Sequence, residues 1–120
     1  MADRRKTPRK PVKLMGTITV PAEAKKIERG CEISDISDNG MRIETDYIRT
    51  IRPGTLFRAK IILDDPQHST LEVTCLVRNM RQDKLSMMMN SEFENLDESQ
   101  LQAIKSYMMK VELGNTEVSQ

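Results

Sequence analysis

Apolar and polar residues alternate along most of this chain. Positions 12, 14, 16, 18 and 20 (Val, Leu, Gly, Ile, Val) share one side of an extended segment. Period-two alternation of this kind marks a half-buried strand. A second strand is expected over Ile27–Ile36, with Ile27, Arg29, Cys31, Ile33 and Asp35 on one side. The alternation there is imperfect and leaves the register open. Asp38-Asn39-Gly40 is a turn signal, and Met41–Thr45 resumes extended structure with Met41 and Ile43 inward and Arg42 outward. A loop from Asp46 to Thr55 contains Pro53-Gly54, a turn dipeptide. Leu56–Leu63 is a strand and Asp64-Asp65-Pro66 a turn. Leu71–Arg78 follows with Leu71, Val73, Cys75 and Val77 on one face. Met80–Asp83 is expected to turn the chain into a last strand, Lys84–Phe93. Leu85, Met87, Met89 and Phe93 would face inward there, and Met88 outward.

After residue 96 the period changes. Asp97 and Gln100 have the spacing of a capping box. Leu101, Ile104, Met108 and Val111 form a stripe at helical spacing. A helix over about 97–113 is predicted, with Gly114 stopping it and a polar tail over 114–120. Six short strands with frequent turns and one amphipathic helix describe an all-β domain with a C-terminal helix, a small antiparallel barrel plugged by that helix. No repeat or linker divides it. An extended arm of residues 1–11, holding Pro8 and Pro11, precedes the domain of 12–113.

Composition narrows the class. A chain of 120 residues, 38% hydrophobic and 31% charged, has the profile of one soluble globular domain. Aromatics make up only 3% while Met numbers nine, so the core is aliphatic and Met-filled. Cys31 and Cys75 stand 44 positions apart in strand-like runs, with no Cys-x-x-Cys. They read as buried free thiols. With His68 as the single histidine, no metal site is expected. No apolar run reaches the ~20 residues of a membrane span and no signal peptide is visible, so a reducing, cytoplasmic setting is expected.

Net charge is +1, too small for a general polyanion binder. The charge is nonetheless local. Residues 1–13 carry six Lys/Arg against one acid, and 92–120 carry six acids against two Lys. Concentrated basicity suits a small anionic ligand better than a nucleic-acid track.

Two stretches carry candidate chemistry. The arm reads Arg4-Arg5-Lys6-Thr7-Pro8-Arg9-Lys10 and the turn reads Asp35-Ile36-Ser37-Asp38-Asn39-Gly40. A guanidinium fork can grip phosphate, or the O6/N7 edge of guanine, with two parallel hydrogen bonds. Arginines four apart in an extended arm lie about 13 Å apart, from ~3.3 Å per residue, which brackets a nucleotide-sized object. A carboxylate repels phosphate, so Asp35 would orient an arginine or accept from a guanine N1/N2 edge. Ser37 offers a hydroxyl, and Gly40 a backbone N–H that permits close approach.

In this order, the two stretches resemble the PilZ domain family of bacterial cyclic di-GMP receptors. The family pattern is Arg-x-x-x-Arg followed, after the first strand, by Asp/Asn-x-Ser-x-x-Gly, matched here by Arg5–Arg9 and Asp35–Gly40. The likeness continues through Pro53-Gly54, Val77-Arg78 and Glu92-Phe93-Glu94-Asn95-Leu96, covering about residues 4–112. It implies a six-stranded antiparallel split barrel with a C-terminal helix. It also implies that Arg5 and Arg9 grip guanine and phosphate. Asp35 and Ser37 would contact a guanine edge or hold an arginine, and Gly40 would allow close approach. Arg4 resembles members that take a stacked ligand dimer, and Arg78 stands where members often add a contact. Leu76 lies about where some members place an aromatic. No cofactor is implied beyond cyclic di-GMP as ligand.

The function expected from this is a non-enzymatic second-messenger receptor that orders its arm on binding and signals to a downstream protein. The alternative is a ligand-independent adaptor on the same fold. Nucleic-acid binding is disfavoured by the scarcity of aromatics for base stacking. Catalysis is disfavoured because His68 sits in a turn without a partner, while Asp64-Asp65 and Asp97-Glu98 occupy a turn and a helix start, where such residues are common.

Overall fold

The computed structural model of the protein describes residues 10–21, 26–66 and 68–118. Six strands form: β1 (Lys10–Val20), β2 (Ile27–Ile36), β3 (Gly40–Asp46), β4 (Leu56–Ile62), β5 (Thr70–Asp83) and β6 (Ser86–Glu94). One helix follows, α1 (Glu98–Val118). The strands close into a barrel in the order β1-β2-β3-β6-β5-β4, and every neighbouring pair is antiparallel. Closure pairs each strand on both sides within the barrel, while the end of β5 past Val77 pairs with β6 alone and keeps an edge. The expected all-β class, the six strands and the helix are all present.

Alternation builds the core. Leu14, Ile18, Ile33, Ile43, Ile61, Val73, Cys75 and Met89 point inward and are buried, joined by Phe57 and Met87. Phe57 is the only aromatic among the largest fully buried side chains of the described residues. The interior is therefore filled with aliphatic and Met side chains, as the composition requires.

Both barrel ends are closed. β3 and β4 are not neighbours, so residues 47–55 must cross one end. Ile48 and Ile51 plug that end, each about 3% exposed, and Gly54, at φ +94°, donates its amide to the Val77 carbonyl at 2.8 Å. At the other end, where β1 begins and β2 turns into β3, α1 lays Ile104 and Tyr107 on the core. Gln100 Nε2 donates to the Glu72 carbonyl at 2.7 Å and Tyr107 Oη to Asp64 Oδ1 at 2.7 Å. The capping box forms reciprocally. The Gln100 amide donates to Asp97 Oδ1 at 2.7 Å, and the Asp97 amide to Gln100 Oε1 at 2.8 Å. Tyr107, one turn from Ile104, joins the buried face beside the expected stripe.

Three expectations change. β5 does not turn at Met80. It runs to Asp83, paired with β6 down to Asp83–Ser86. The turn shrinks to Lys84-Leu85, with Lys84 in the left-handed region at φ +56°. Leu85, expected inside, is 85% exposed at that tip. Asp-Lys-Leu-Ser carries no Gly or Asn to announce a tight turn. Second, β2 carries a bulge between Ile33 and Asp35. It reverses the inside–outside phase, so Ile36 is buried and Asp35 pairs outward with Arg42. Third, α1 continues through Gly114 to Val118. One glycine in a helix costs only about 1 kcal/mol, too little to end it alone.

Candidate ligand-binding site

The site is built on the turn between β2 and β3. Three residues separate the strands, and Ser37 closes the turn from within. Its amide donates to the Gly40 carbonyl at 2.9 Å. Its Oγ accepts from the amides of Asn39 at 3.1 Å and Gly40 at 3.2 Å. This is a serine turn, in which a hydroxyl satisfies backbone donors that the chain reversal orphans. Ser37 is accordingly 2% exposed. Phe93 donates its amide to the Asn39 carbonyl at 2.8 Å, tying the turn to the end of β6.

Gly40 opens β3 opposite Glu92. A Cβ there would collide with the backbone carbonyl of Ser91. The close approach that this glycine permits is therefore to β6. Its N–H is engaged by Ser37.

Asp35 lies outside the barrel wall. The Arg42 guanidinium is 3.6 Å from its carboxylate, with side-chain exposures of 38% for Arg42 and 14% for Asp35. Arg42 Nε donates to Asn90 Oδ1 at 3.2 Å, and Asn90 Nδ2 donates to Asn79 Oδ1 at 2.6 Å. Arg78 pairs through Nε with Glu92 at 3.0 Å, on the same side of the barrel. The structure thus brings Asp35 and Arg78 to one region of the surface, over the buried turn residues Ser37 and Gly40.

Arg4, Arg5 and Arg9 lie outside the described residues. Their attachment point does not. Lys10 pairs with Ile36 and Pro11 with Asp35 in the β1–β2 ladder. Arg9 is one peptide link from Lys10, about 3.8 Å between Cα atoms. Lys10, the first described residue, therefore stands directly beside the Asp35–Gly40 turn.

A cleft of about 390 Å³ opens at the same end, lined by Pro11, Val12, Asp64, Asp65, Pro66, Tyr107, Lys110 and Val111. It offers two carboxylates against one ammonium, a poor setting for a phosphodiester. Accepting the Ser69 amide holds the Asp65 carboxyl below its ordinary range, so it stays ionised. The wall beside Asp35, Gly40 and Arg78 is the better candidate.

Arg42, Asn90 and Asn79 were not identifiable as neighbours of the site by alternation. Arg42 meets Asp35, and Asn90 and Asn79 line up behind it, only because of strand register, which the bulges set. Among the described residues, no three His, Cys, Asp or Glu are grouped to hold a metal ion, and no helix is long and apolar enough to cross a membrane.

A family model described as the PilZ domain matches residues 3–110. The chain belongs to the PilZ domain family. Solved structures share its fold. The Bacillus subtilis inhibitor of motility, MotI/DgrA, aligns at a TM-score of 0.74 and 21% identity, covering 94% of this chain and 53% of that one. The PilZ domain of Escherichia coli YcgR with c-di-GMP aligns at 0.77 and 11%, covering 98% of both. The K. pneumonia MrkH–c-di-GMP complex aligns at 0.78 and 15%, covering 96% and 54%. The chain spans about half the length of MotI/DgrA and MrkH and nearly all of the isolated YcgR domain. No curated protein matches the chain.

Proposed function

We propose that this protein is a bacterial, cytoplasmic receptor for cyclic di-GMP, acting by binding rather than catalysis. The observation that carries the reading is the pairing of Lys10 with Ile36 and Pro11 with Asp35. It supports the reading by seating the residues that directly follow the Arg-x-x-x-Arg stretch against the Asp-x-Ser-x-x-Gly turn. Arg5 and Arg9 grip phosphate and the guanine O6/N7 edge. Asp35 accepts from the guanine N1/N2 edge or holds one of those arginines. Arg4 and Arg78 are further contacts. Ser37 and Gly40 shape the turn that presents Asp35. Support also comes from the structural neighbours described as c-di-GMP complexes, YcgR and MrkH.

Binding would order the arm across the barrel end and make a new surface for a downstream protein, since a ligand shifts a population by its differential affinity for one state. Titration calorimetry with cyclic di-GMP tests the proposal. Saturable heat at micromolar protein is expected, with a stoichiometry that separates one ligand from a stacked pair. Absence of heat would favour the ligand-independent adaptor, and binding undiminished by Arg5→Ala with Arg9→Ala would overturn the role given to the arm.

A further inference from the structure

Two bulges in strands on opposite sides of the β3–β6 pair align four side chains into one row. In β2 the register shifts between Ile33 and Asp35, placing Asp35 opposite Arg42. In β5 it shifts between Val77 and Asn79, placing Asn79 opposite Asn90. Arg42 and Asn90 are themselves partners in the β3–β6 ladder. Without the first bulge, Ser34 would stand where Asp35 does. Without the second, Arg78 would stand where Asn79 does. Bulges re-aim side chains and terminate regular alternation, often beside functional sites.

We infer that Arg42 is a positioning residue of the cyclic di-GMP site, with Asn90 and Asn79 behind it; this rests on the proposed function. The chemistry runs in one direction. Asn79 Oδ1 accepts one hydrogen from Asn90 Nδ2, so Asn90 turns its carbonyl oxygen toward Arg42. That oxygen takes the Nε–H of Arg42, which fixes the plane of the guanidinium beside Asp35. A fixed cation restrains the Asp35 carboxylate for the first of its two proposed roles, reading the guanine N1/N2 edge. Arg42 would therefore set base specificity without touching the ligand. The two hydrogen-bonded links each use a donor or acceptor that the next cannot replace, and the last, Arg42 to Asp35, is a charge contact at 3.6 Å. Lysine lacks the planar fork, and an asparagine released at one end can flip.

The test measures affinity for cyclic di-GMP and for its hypoxanthine analogue, which lacks the exocyclic amine. Wild type, Arg42→Gln, Arg42→Lys, Asp35→Asn and the Arg42→Gln/Asp35→Asn double variant are compared, each checked by thermal melting. Arg42→Gln is expected to weaken cyclic di-GMP binding about tenfold, the scale of one hydrogen bond to a charged group. It should erase much of the preference for guanine and have little further effect once Asp35 is Asn. Arg42→Lys should not restore the preference. In ligand-free protein the Nε–H resonance of Arg42 should be protected from solvent exchange and lose that protection in Asn90→Ala. Equal losses for both ligands, or an Arg42→Gln loss undiminished in the Asp35→Asn background, would overturn the inference. If wild type ignores cyclic di-GMP, the proposed function falls. A protected Arg42 Nε–H would then leave the row as structure alone.

Discussion

Gly40 lies against the backbone carbonyl of Ser91, with no room for a methyl group between them. Because the obstacle is main chain, it cannot rotate away. Gly40→Ala is expected to destabilise the fold by about 1–3 kcal/mol, the usual cost of overpacking, measured by chemical denaturation without ligand. Loss of binding in such a variant would report the barrel first. A variant as stable as wild type would contradict this packing role.

Ser37 makes a similar point from the polar side. Its hydroxyl is the acceptor for the buried Gly40 amide and the half-buried Asn39 amide. Ser37→Ala should cost about 1–3 kcal/mol, the penalty for stranding buried donors, and lower the melting temperature of the free protein. Ser37→Thr, which keeps the acceptor, should recover part of the loss.

The arm arginines should behave in the opposite way. Removing Arg5 or Arg9 by Ala substitution is expected to leave the melting temperature unchanged and weaken cyclic di-GMP binding at least tenfold each, as charge-assisted bidentate contacts do. Calorimetry paired with melting curves separates the two classes of residue.

Tyr107 gives a pH-dependent prediction. Burial, with the hydrogen bond to Asp64 second, raises its phenol above the ordinary value near 10. A raised folded-state value contributes stability in full below the unfolded value and loses it as pH climbs through the folded one. Stability should therefore decline above about pH 10, and Tyr107→Phe should flatten that decline. Identical alkaline profiles for the two proteins would refute it.

The thiols should be silent. Burial pushes Cys31 up to about 11 and Cys75 up to about 12, and both are free and buried. Thiolate is the reactive form. A thiol reagent at pH 8 should label neither in folded protein and both after denaturation.

Much of this molecule was legible in the chain. Alternation located all six strands, because each has one face in the core and one in water. The capping residues Asp97 and Gln100 located the helix start, since their hydrogen bonds span three residues. The Arg-x-x-x-Arg and Asp-x-Ser-x-x-Gly stretches pointed to the family, because local motifs survive where overall identity does not. What alternation could not reveal was register. The bulges at Ser34 and Arg78 are single-residue offsets that no local propensity announces, yet they decide that Asp35 faces Arg42 and that Asn79 faces Asn90. The Gly40 contact with Ser91 and the path of β5 past Met80 belong to the same class. Local pattern depends on neighbours along the chain, whereas these relations depend on which strands closure of the barrel sets side by side.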